Sequence, residues 1–206
     1  MRRLQLWALV AVPVLYYFAL IAGAATWPGY SHVSRYASEL GSAEAPVPDL
    51  FNYSIVLAGL AALFAAHGLA GALRGLAGRA LWPILAAAAL ALWGAAMVMG
   101  GWFPMPDDRH GGFGLGLAAP LVPLFALLAI RRVPDAGAMR AFLALIFAGQ
   151  LVLLAIMFGV GELVTRANVG LWQRINSGFG IAWLAVLGLW LLARARRDDR
   201  RQAASA

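Results

Sequence analysis

The sequence contains no cysteine and no lysine, and it carries little charge of either sign. Without cysteine, the chain cannot form disulfides, thiolate-ligated zinc sites or cysteine-held iron–sulfur clusters. Charged residues make up 12% of the chain and hydrophobic residues 63%, whereas soluble domains average about 25% charged and about 45–50% apolar. This composition excludes an ordinary soluble domain.

Six long apolar stretches occupy most of the 206 residues. Each is about 20 residues long, the length that an α-helix needs to cross a hydrocarbon core of roughly 30 Å. Lipid cannot hydrogen-bond the backbone, so such stretches must be helical. The sequence therefore predicts an all-α integral membrane protein, with residues 1–206 forming one six-helix transmembrane bundle. The predicted spans are 4–26, 51–73, 81–102, 112–130, 141–161 and 175–193.

The arginines are divided unevenly between the two ends of the predicted bundle. Of the 16, twelve fall on the side of the chain termini, and only four fall on the other: Arg35, Arg109, Arg166 and Arg174. The positive-inside rule places the richer side in the cytoplasm, so both termini are predicted to be inside. The net charge of +7 follows from this asymmetry. Membrane lipids, and not nucleic acid, are the expected partners, while protein partners and homo-oligomers stay open.

Three local patterns predict details of the bundle. Residues 31–40 predict a short amphipathic helix that lies in the membrane interface in the first outer loop. Pro120 and Pro123 remove two backbone donors within one turn, so the fourth span is predicted to bend or break there. Gly71 and Gly75 form a pair four residues apart that is typical of close helix packing.

Most of the polar residues that could bind a ligand or take part in catalysis fall on the predicted outer side, and three interpretations of them remain open. In the first, His32 and His110 bind a divalent metal together with a carboxylate from Asp107, Asp108 or Glu39, of which Asp108 is the main candidate. Two imidazoles, a carboxylate and an open position form a zinc arrangement that activates water, as a membrane hydrolase would need. No ligand-spaced motif supports it, so the sequence predicts no cofactor, with zinc as the alternative.

In the second interpretation, the outer residues form a pocket for an anionic or polar headgroup of a lipid or other amphiphile, which the protein binds or passes on. Arginine guanidinium groups recognise such groups in a fork-like geometry. Arg174 is predicted to form an ion pair with Glu39, Asp107 or Asp108 at the floor of this pocket. The candidate residues are Ser34, Arg35, Ser38, Glu39, Asp107, Asp108, Glu162 and Arg174.

In the third interpretation, the same residues only cap helices and fix loops, and the protein is a structural or accessory membrane component. Glu162 and Arg166, four residues apart, would then form a local ion pair. Within the spans, Gln150 is predicted to hydrogen-bond a neighbouring helix. Paired histidines for haem are absent, since His67 is the only histidine inside a predicted span.

Several segments together resemble the family known as domain of unknown function 998, whose members are bacterial and archaeal multi-pass membrane proteins. The resemblance covers nearly the whole chain and implies a six-helix bundle without an established activity. Together with the arginine asymmetry, it predicts a location in the bacterial or archaeal cytoplasmic (inner) membrane. The segments that carry it are Ser31-His32-Val33-Ser34-Arg35-Tyr36-Ala37-Ser38-Glu39-Leu40-Gly41, Asn52 with Gly59, Phe103-Pro104 followed by Asp107 or Asp108 and His110, and Gly170-Leu171-Trp172-Gln173-Arg174.

Overall fold

A computed structural model describes the backbone of residues 1–204 and the side chains of residues 1–197. The described part is all helical and contains no strand. Its α-helices are α1 (Arg2–Ala25), α2 (Pro48–Ala77), α3 (Leu81–Trp102), α4 (Leu121–Ile130), α5 (Gly137–Met157), α6 (Val169–Ile181) and α7 (Trp183–Ala204). Three 3-10 helices, Ala37–Gly41, Asp108–Ala118 and Val160–Glu162, lie between them.

Six helical segments of the described chain are long and apolar enough to cross a membrane, which confirms the predicted number of spans. Four of them are the single helices α1, α2, α3 and α5. The fourth span joins the 3-10 helix Asp108–Ala118 to α4, and the sixth joins α6 to α7. Because the number of spans is even, both chain termini lie at the same end of the bundle. We call this the terminal end, and the opposite end, formed by residues 26–47, 103–107 and 158–168, the loop end.

Small side chains allow the helices of the bundle to approach one another closely. Ala58, Ala62 and Ala65 of α2 are fully buried, and Ala86 of α3 is buried as well. Lipid provides no hydrophobic drive for helices to associate, so close van der Waals packing of small residues must hold them together. The large buried residues lie mainly where α1 meets α7 and α2, and they include Leu6, Leu9, Leu69, Leu184 and Leu187.

The fourth span is irregular over its whole loop-end half, so the predicted departure from a straight helix is confirmed. The α-helix begins only at Leu121, directly after Pro120. Before it, the 3-10 helix is interrupted at residues 112–114, where φ is positive. A Cβ atom at Gly112 would lie 3.0 Å from Cα of Ala96, so glycine permits both the positive φ and the contact with α3. The irregularity extends further than the two prolines indicate.

The first loop differs from its prediction, because its helix is shorter and begins later than residue 31. Residues 32–34 form a turn in which the Ser31 hydroxyl accepts hydrogen bonds from the backbone of Val33 and Ser34. The helix is the five-residue 3-10 helix Ala37–Gly41, which begins where the Glu39 carboxylate accepts the Tyr36 N–H at 2.8 Å. The Ser31 turn and the Glu39 cap thus satisfy backbone N–H groups that a continuous helix over residues 31–40 would have used, and the helix is shortened.

The 3-10 helix of the first loop packs against the bundle. Ala37, Leu40 and Gly41 are buried, and the Asn52 side chain of α2 donates to the Gly41 carbonyl at 2.9 Å. The loop is therefore attached to the loop end, and the polar side chains it carries are held in fixed positions there.

Candidate functional site

Arg174 joins the first loop to the start of the sixth span. Its Nε donates to His32 Nδ1 at 2.9 Å, and one terminal nitrogen donates to the Tyr30 hydroxyl at 2.6 Å. The other terminal nitrogen donates to the carbonyls of Arg35 at 2.9 Å and Gly170 at 2.8 Å. These contacts use four of the five N–H donors of a guanidinium group. Arg174 therefore fixes the loop and has little capacity left for a ligand.

The predicted ion pair between Arg174 and Glu39, Asp107 or Asp108 is wrong. Among the described residues, Arg174 has no carboxylate partner, and its acceptors are all neutral. The reason is local: the turn at residues 32–35 presents backbone carbonyls to α6, while the Glu39 carboxylate caps the backbone of its own loop.

The α6 residues just before Arg174 complete this junction. The Leu171 N–H donates to the Val33 carbonyl at 2.9 Å, and the Gln173 side chain accepts the Ala37 N–H. Gly170 lies directly against the loop, because a Cβ atom there would overlap the Arg35 carbonyl and lie 2.9 Å from the carbonyl of Val33. The short segment 170–174 thus provides both the room for the loop to approach, at Gly170, and the hydrogen bonds that attach it.

His32 is held in its neutral form by this junction. Partial burial lowers the pKa of the His32 imidazole, and the positive charge of Arg174 lowers it further. A neutral imidazole is also what the hydrogen bond requires, because Nδ1 accepts a proton from the guanidinium. The His32 ring packs edge-on against Tyr30, with ring centroids 5.3 Å apart.

Arg35 and Glu39 form a paired charge beside this junction. Their side chains meet at 3.0 Å, and Arg35 also lies 3.6 Å from the exposed Glu44 carboxylate. The guanidinium stacks over the Trp27 ring at 4.7 Å from its centroid. The Ser38 hydroxyl points away from this pair and contacts the Met105 sulfur at 3.1 Å.

The second loop-end segment forms a separate polar unit. Arg109 donates to both carboxylate oxygens of Asp107, at 2.9 and 2.7 Å, and stacks over the Phe103 ring. These hydrogen bonds lower the pKa of Asp107 to about 2. His110 Nδ1 lies 2.9 Å from the Phe103 carbonyl. Asp108 is exposed and takes no part in these contacts.

The structure does not bring the three metal candidates together. His32 contacts Arg174, whereas His110 contacts its own segment and Asp108 faces solvent. Across the described residues, no group of three histidine or acidic side chains could hold a metal ion. The zinc site stays a prediction from the sequence.

A polar pocket of about 480 Å³ lies at the loop end between the first loop and the segment before α6. Of the predicted ligand-binding residues, Ser34 and Glu39 line it. The segment before α6 adds Arg166, one of the four arginines of the predicted outer side, and Thr165, which the sequence did not single out. Glu162 does not line the pocket, and no ion pair between it and Arg166 is present in the described structure. The remaining lining residues are Tyr36, Val164 and Val169.

A second cavity, of about 260 Å³, lies inside the loop-end half of the bundle. Gln150 of α5 lines it and is only 4% exposed. Neither its side-chain oxygen nor its side-chain nitrogen has a hydrogen-bond partner in the described structure. The predicted hydrogen bond to a neighbouring helix is therefore wrong. Sequence reasoning found the residue but missed the cavity, which irregular backbone in the fourth span helps to form.

These observations define the class of protein: an all-helical, multi-pass membrane protein with a polar loop end and an internal cavity. A family described as protein of unknown function (DUF998) matches residues 10–190, so the chain belongs to that family. The resemblance seen in the sequence is thereby confirmed. Neither the curated proteins nor the solved structures contain a match.

Proposed function

We propose that this protein binds an amphiphile with an anionic headgroup at the loop-end pocket formed by Ser34, Tyr36, Glu39, Val164, Thr165, Arg166 and Val169. The observation that carries the proposal is that Arg166 lies in the pocket without an ion-pair partner among the described residues. It lines the pocket, is exposed, and has no carboxylate partner in the described part of the chain. An unpaired guanidinium in a pocket is free to form the bidentate hydrogen bonds that phosphate and carboxylate groups accept.

The charges of the other lining residues fit such a headgroup. Arg35 is paired with Glu39 at 3.0 Å, so the carboxylate in the pocket is largely neutralised and repels an anion less. The hydroxyl groups of Ser34 and Thr165 line the same pocket and can donate to headgroup oxygens. Glu39 can in turn accept from a sugar or glycerol hydroxyl.

Apolar residues border the pocket where an acyl chain would leave it. Val164 and Val169 line it, and the adjoining segment exposes Leu163 at 47% and Val160 at 63%. A charged group beside an exposed apolar surface at the end of a transmembrane bundle matches the two parts of a lipid. Arg174 serves this site as a positioning residue, because it attaches the loop that carries Ser34 and Glu39.

The arginine asymmetry supports insertion into the cytoplasmic membrane with both termini on the cytoplasmic side and the loop end on the outer side. Arg2, Arg74, Arg131 and Arg194 are among the twelve arginines of the terminal end. Two others of that set, Arg200 and Arg201, lie outside the described side chains. The pocket would then face the outer leaflet.

Reporter fusions test this orientation. We expect green fluorescent protein fused to the C-terminus to fluoresce, because it folds in the cytoplasm, and alkaline phosphatase at the same position to be inactive. Fusions truncated after residue 107, in the loop end, should show the reverse. An active phosphatase at the C-terminus would overturn the orientation.

Lipid selectivity tests the pocket itself. We expect purified protein to retain phosphatidylglycerol in preference to phosphatidylcholine with the same acyl chains, measured by native mass spectrometry. Arg166→Gln should weaken phosphatidylglycerol retention roughly tenfold, because a hydrogen bond to a charged group contributes about 1.5–3 kcal/mol. Phosphatidylcholine retention should fall less, because the choline cation offsets the charge of its phosphate and repels the guanidinium.

Arg109→Gln is the matched control for this variant. It removes the same charge at the same end of the bundle, but Arg109 is bound to Asp107 outside the pocket. The preference for phosphatidylglycerol should survive in this variant. Equal losses in both variants would show a general effect of surface charge, and equal retention of the two lipids by the unmodified protein would refute the proposed function.

A further inference from the structure

The internal cavity contains a polar group that the protein itself leaves unsatisfied. Gln150 is 4% exposed, and both polar atoms of its carboxamide lack a partner in the described structure. Leaving a buried amide without hydrogen bonds costs about 1–3 kcal/mol. Gln150 lines the cavity of about 260 Å³, and its two polar atoms are covered, so a rotation of the side chain would bring the carboxamide to an occupant.

The walls of the cavity define the chemistry of that occupant. No charged side chain of the described residues lines it, and its apolar walls include Ile55, Trp93, Met97 and Leu154. An ion would lose its hydration there without gaining a counter-charge, so the occupant must be uncharged. The volume is slightly below the roughly 300–1,000 Å³ of ligand pockets in general, so the occupant, or the part of it that enters, is small.

The polar residues that line the cavity come from three different helices. Gln150 lies on α5, while Asn176 and Ser177 lie on α6 and Tyr16 on α1. The Ser177 hydroxyl donates to the Gln173 carbonyl at 2.6 Å and also hydrogen-bonds with the Tyr16 hydroxyl, so it has at most one lone pair left to accept from a ligand. The Gln150 carboxamide offers both donors and an acceptor. A hydroxyl or carbonyl group on the ligand would meet complementary partners on more than one helix.

We propose that this cavity is a binding site for a small, uncharged, lipophilic molecule that carries a hydroxyl or carbonyl group, with Gln150 as its main hydrogen-bonding residue. The site is separate from the loop-end pocket, and the two share no lining residue. It therefore does not rest on the proposed lipid binding. A ligand that is neutral and lipophilic can enter from the surrounding membrane.

Photolabelling with 4-hydroxybenzophenone tests the proposal. This probe is uncharged and lipophilic, carries both a carbonyl and a hydroxyl group, and couples to nearby C–H bonds when irradiated. In the purified full-length protein we expect saturable labelling of cavity residues such as Met97 or Leu154, mapped by peptide mass spectrometry. Gln150→Leu should weaken binding of the probe roughly fivefold, the effect of losing about one hydrogen bond.

Two further measurements separate a ligand site from a structural glutamine. Without probe, Gln150→Leu should keep or raise the melting temperature, because it removes the unsatisfied amide. Gln5→Leu is the matched control: Gln5 is also buried in a span but does not line the cavity, so labelling should not change. A fall in melting temperature for Gln150→Leu would show that the amide has partners in the protein, and would refute the proposal.

Filling the cavity provides an independent variant. Gly180 lines the cavity, and a Cβ atom there would meet nothing within 4 Å. Gly180→Leu should therefore abolish labelling in a folded protein, whereas Gly180→Ala, which occupies much less of the cavity, should retain it. Labelling that is absent from cavity residues in the unmodified protein, or equal in all variants, would overturn the proposal.

Discussion

Replacing Gly59 by alanine should destabilise the protein by about 2 kcal/mol or more, although the change adds a single methyl group. Gly59 lies in α2 where it crosses α3. A Cβ atom at this position would lie 2.6 Å from the Gly94 carbonyl oxygen and 2.7 Å from the Val98 backbone nitrogen. Both neighbours are backbone atoms of a helix, so neither can rotate away. The two helices would have to separate.

Separation of α2 from α3 would disturb more than this one contact. Ala58 and Ala62, on either side of Gly59, are fully buried, and Gly94 makes the reciprocal contact: its Cβ atom would lie 2.9 Å from the Gly59 carbonyl. Close packing of this kind is the main attraction between helices in lipid. Alanine stabilises a helix by about 1 kcal/mol relative to glycine. The strain from the clash must therefore exceed the expected net destabilisation by about that amount.

Gly75→Ala is the matched control, because it makes the same change in the same helix. A Cβ atom at Gly75 would meet no atom of the described residues within 4 Å. Its free energy of unfolding, measured in mixed micelles, should stay the same or rise by up to about 1 kcal/mol. If Gly59→Ala proved as stable as Gly75→Ala, the close contact between α2 and α3 would not exist.

Much of the bundle could be predicted from the sequence, because the membrane imposes its own length and polarity. A span must be apolar over about 20 residues and must satisfy its own backbone, so six apolar stretches predict six spans. The break of the fourth span was also predictable, because Pro120 cannot donate to an α-helix. What could not be predicted was how far the irregular backbone extends, which depends on the contact of Gly112 with Ala96 in α3.

Contacts between helices were harder to predict than the helices themselves. The pair Gly71 and Gly75 has the spacing typical of a packing motif. A Cβ atom at Gly75 would meet no described atom within 4 Å, however, and one at Gly71 would meet only the Arg2 side chain, at 3.5 Å. That prediction was wrong. The close contact joins single glycines, Gly59 and Gly94, in two different helices, and a spacing rule within one helix cannot identify such a pair.

The loop end shows the same limit for polar residues. The sequence placed Arg174, His32 and Glu39 at the same end of the bundle, but it did not predict the hydrogen bond of 2.9 Å that joins Arg174 to His32. The sequence analysis assigned Arg174 the wrong partners. A sequence shows which side chains are charged, but it does not show where the backbone carbonyls point. Gln150 was visible too, but whether a buried amide is satisfied depends on the side chains of other helices.

The second large effect should come from Arg174→Ala, which we expect to destabilise the protein by about 2–4 kcal/mol. Each hydrogen bond to a charged group contributes about 1.5–3 kcal/mol, and Arg174 makes four. The sum is smaller than four separate bonds, because water can replace the guanidinium at the exposed His32 and at Tyr30. The carbonyls of Arg35 and Gly170 lose more, since they lie inside the junction. Unfolding in mixed micelles measures the change.

Two other substitutions separate the geometry of Arg174 from its charge. Arg174→Lys keeps the charge but cannot reach four acceptors in the planar arrangement of a guanidinium, so its stability should lie between those of the alanine variant and the unmodified protein. Arg166→Ala removes an arginine that has no carboxylate partner in the described structure, and its free energy of unfolding should change by less than about 0.5 kcal/mol. If Arg174→Ala were as mild as Arg166→Ala, Arg174 would not attach the first loop. If Arg174→Lys restored full stability, charge alone would account for its role.

A double-mutant cycle tests the contact between Arg174 and His32. Adding His32→Ala to Arg174→Ala should lower the free energy of unfolding by less than His32→Ala does alone, because the hydrogen bond between the two residues is already lost.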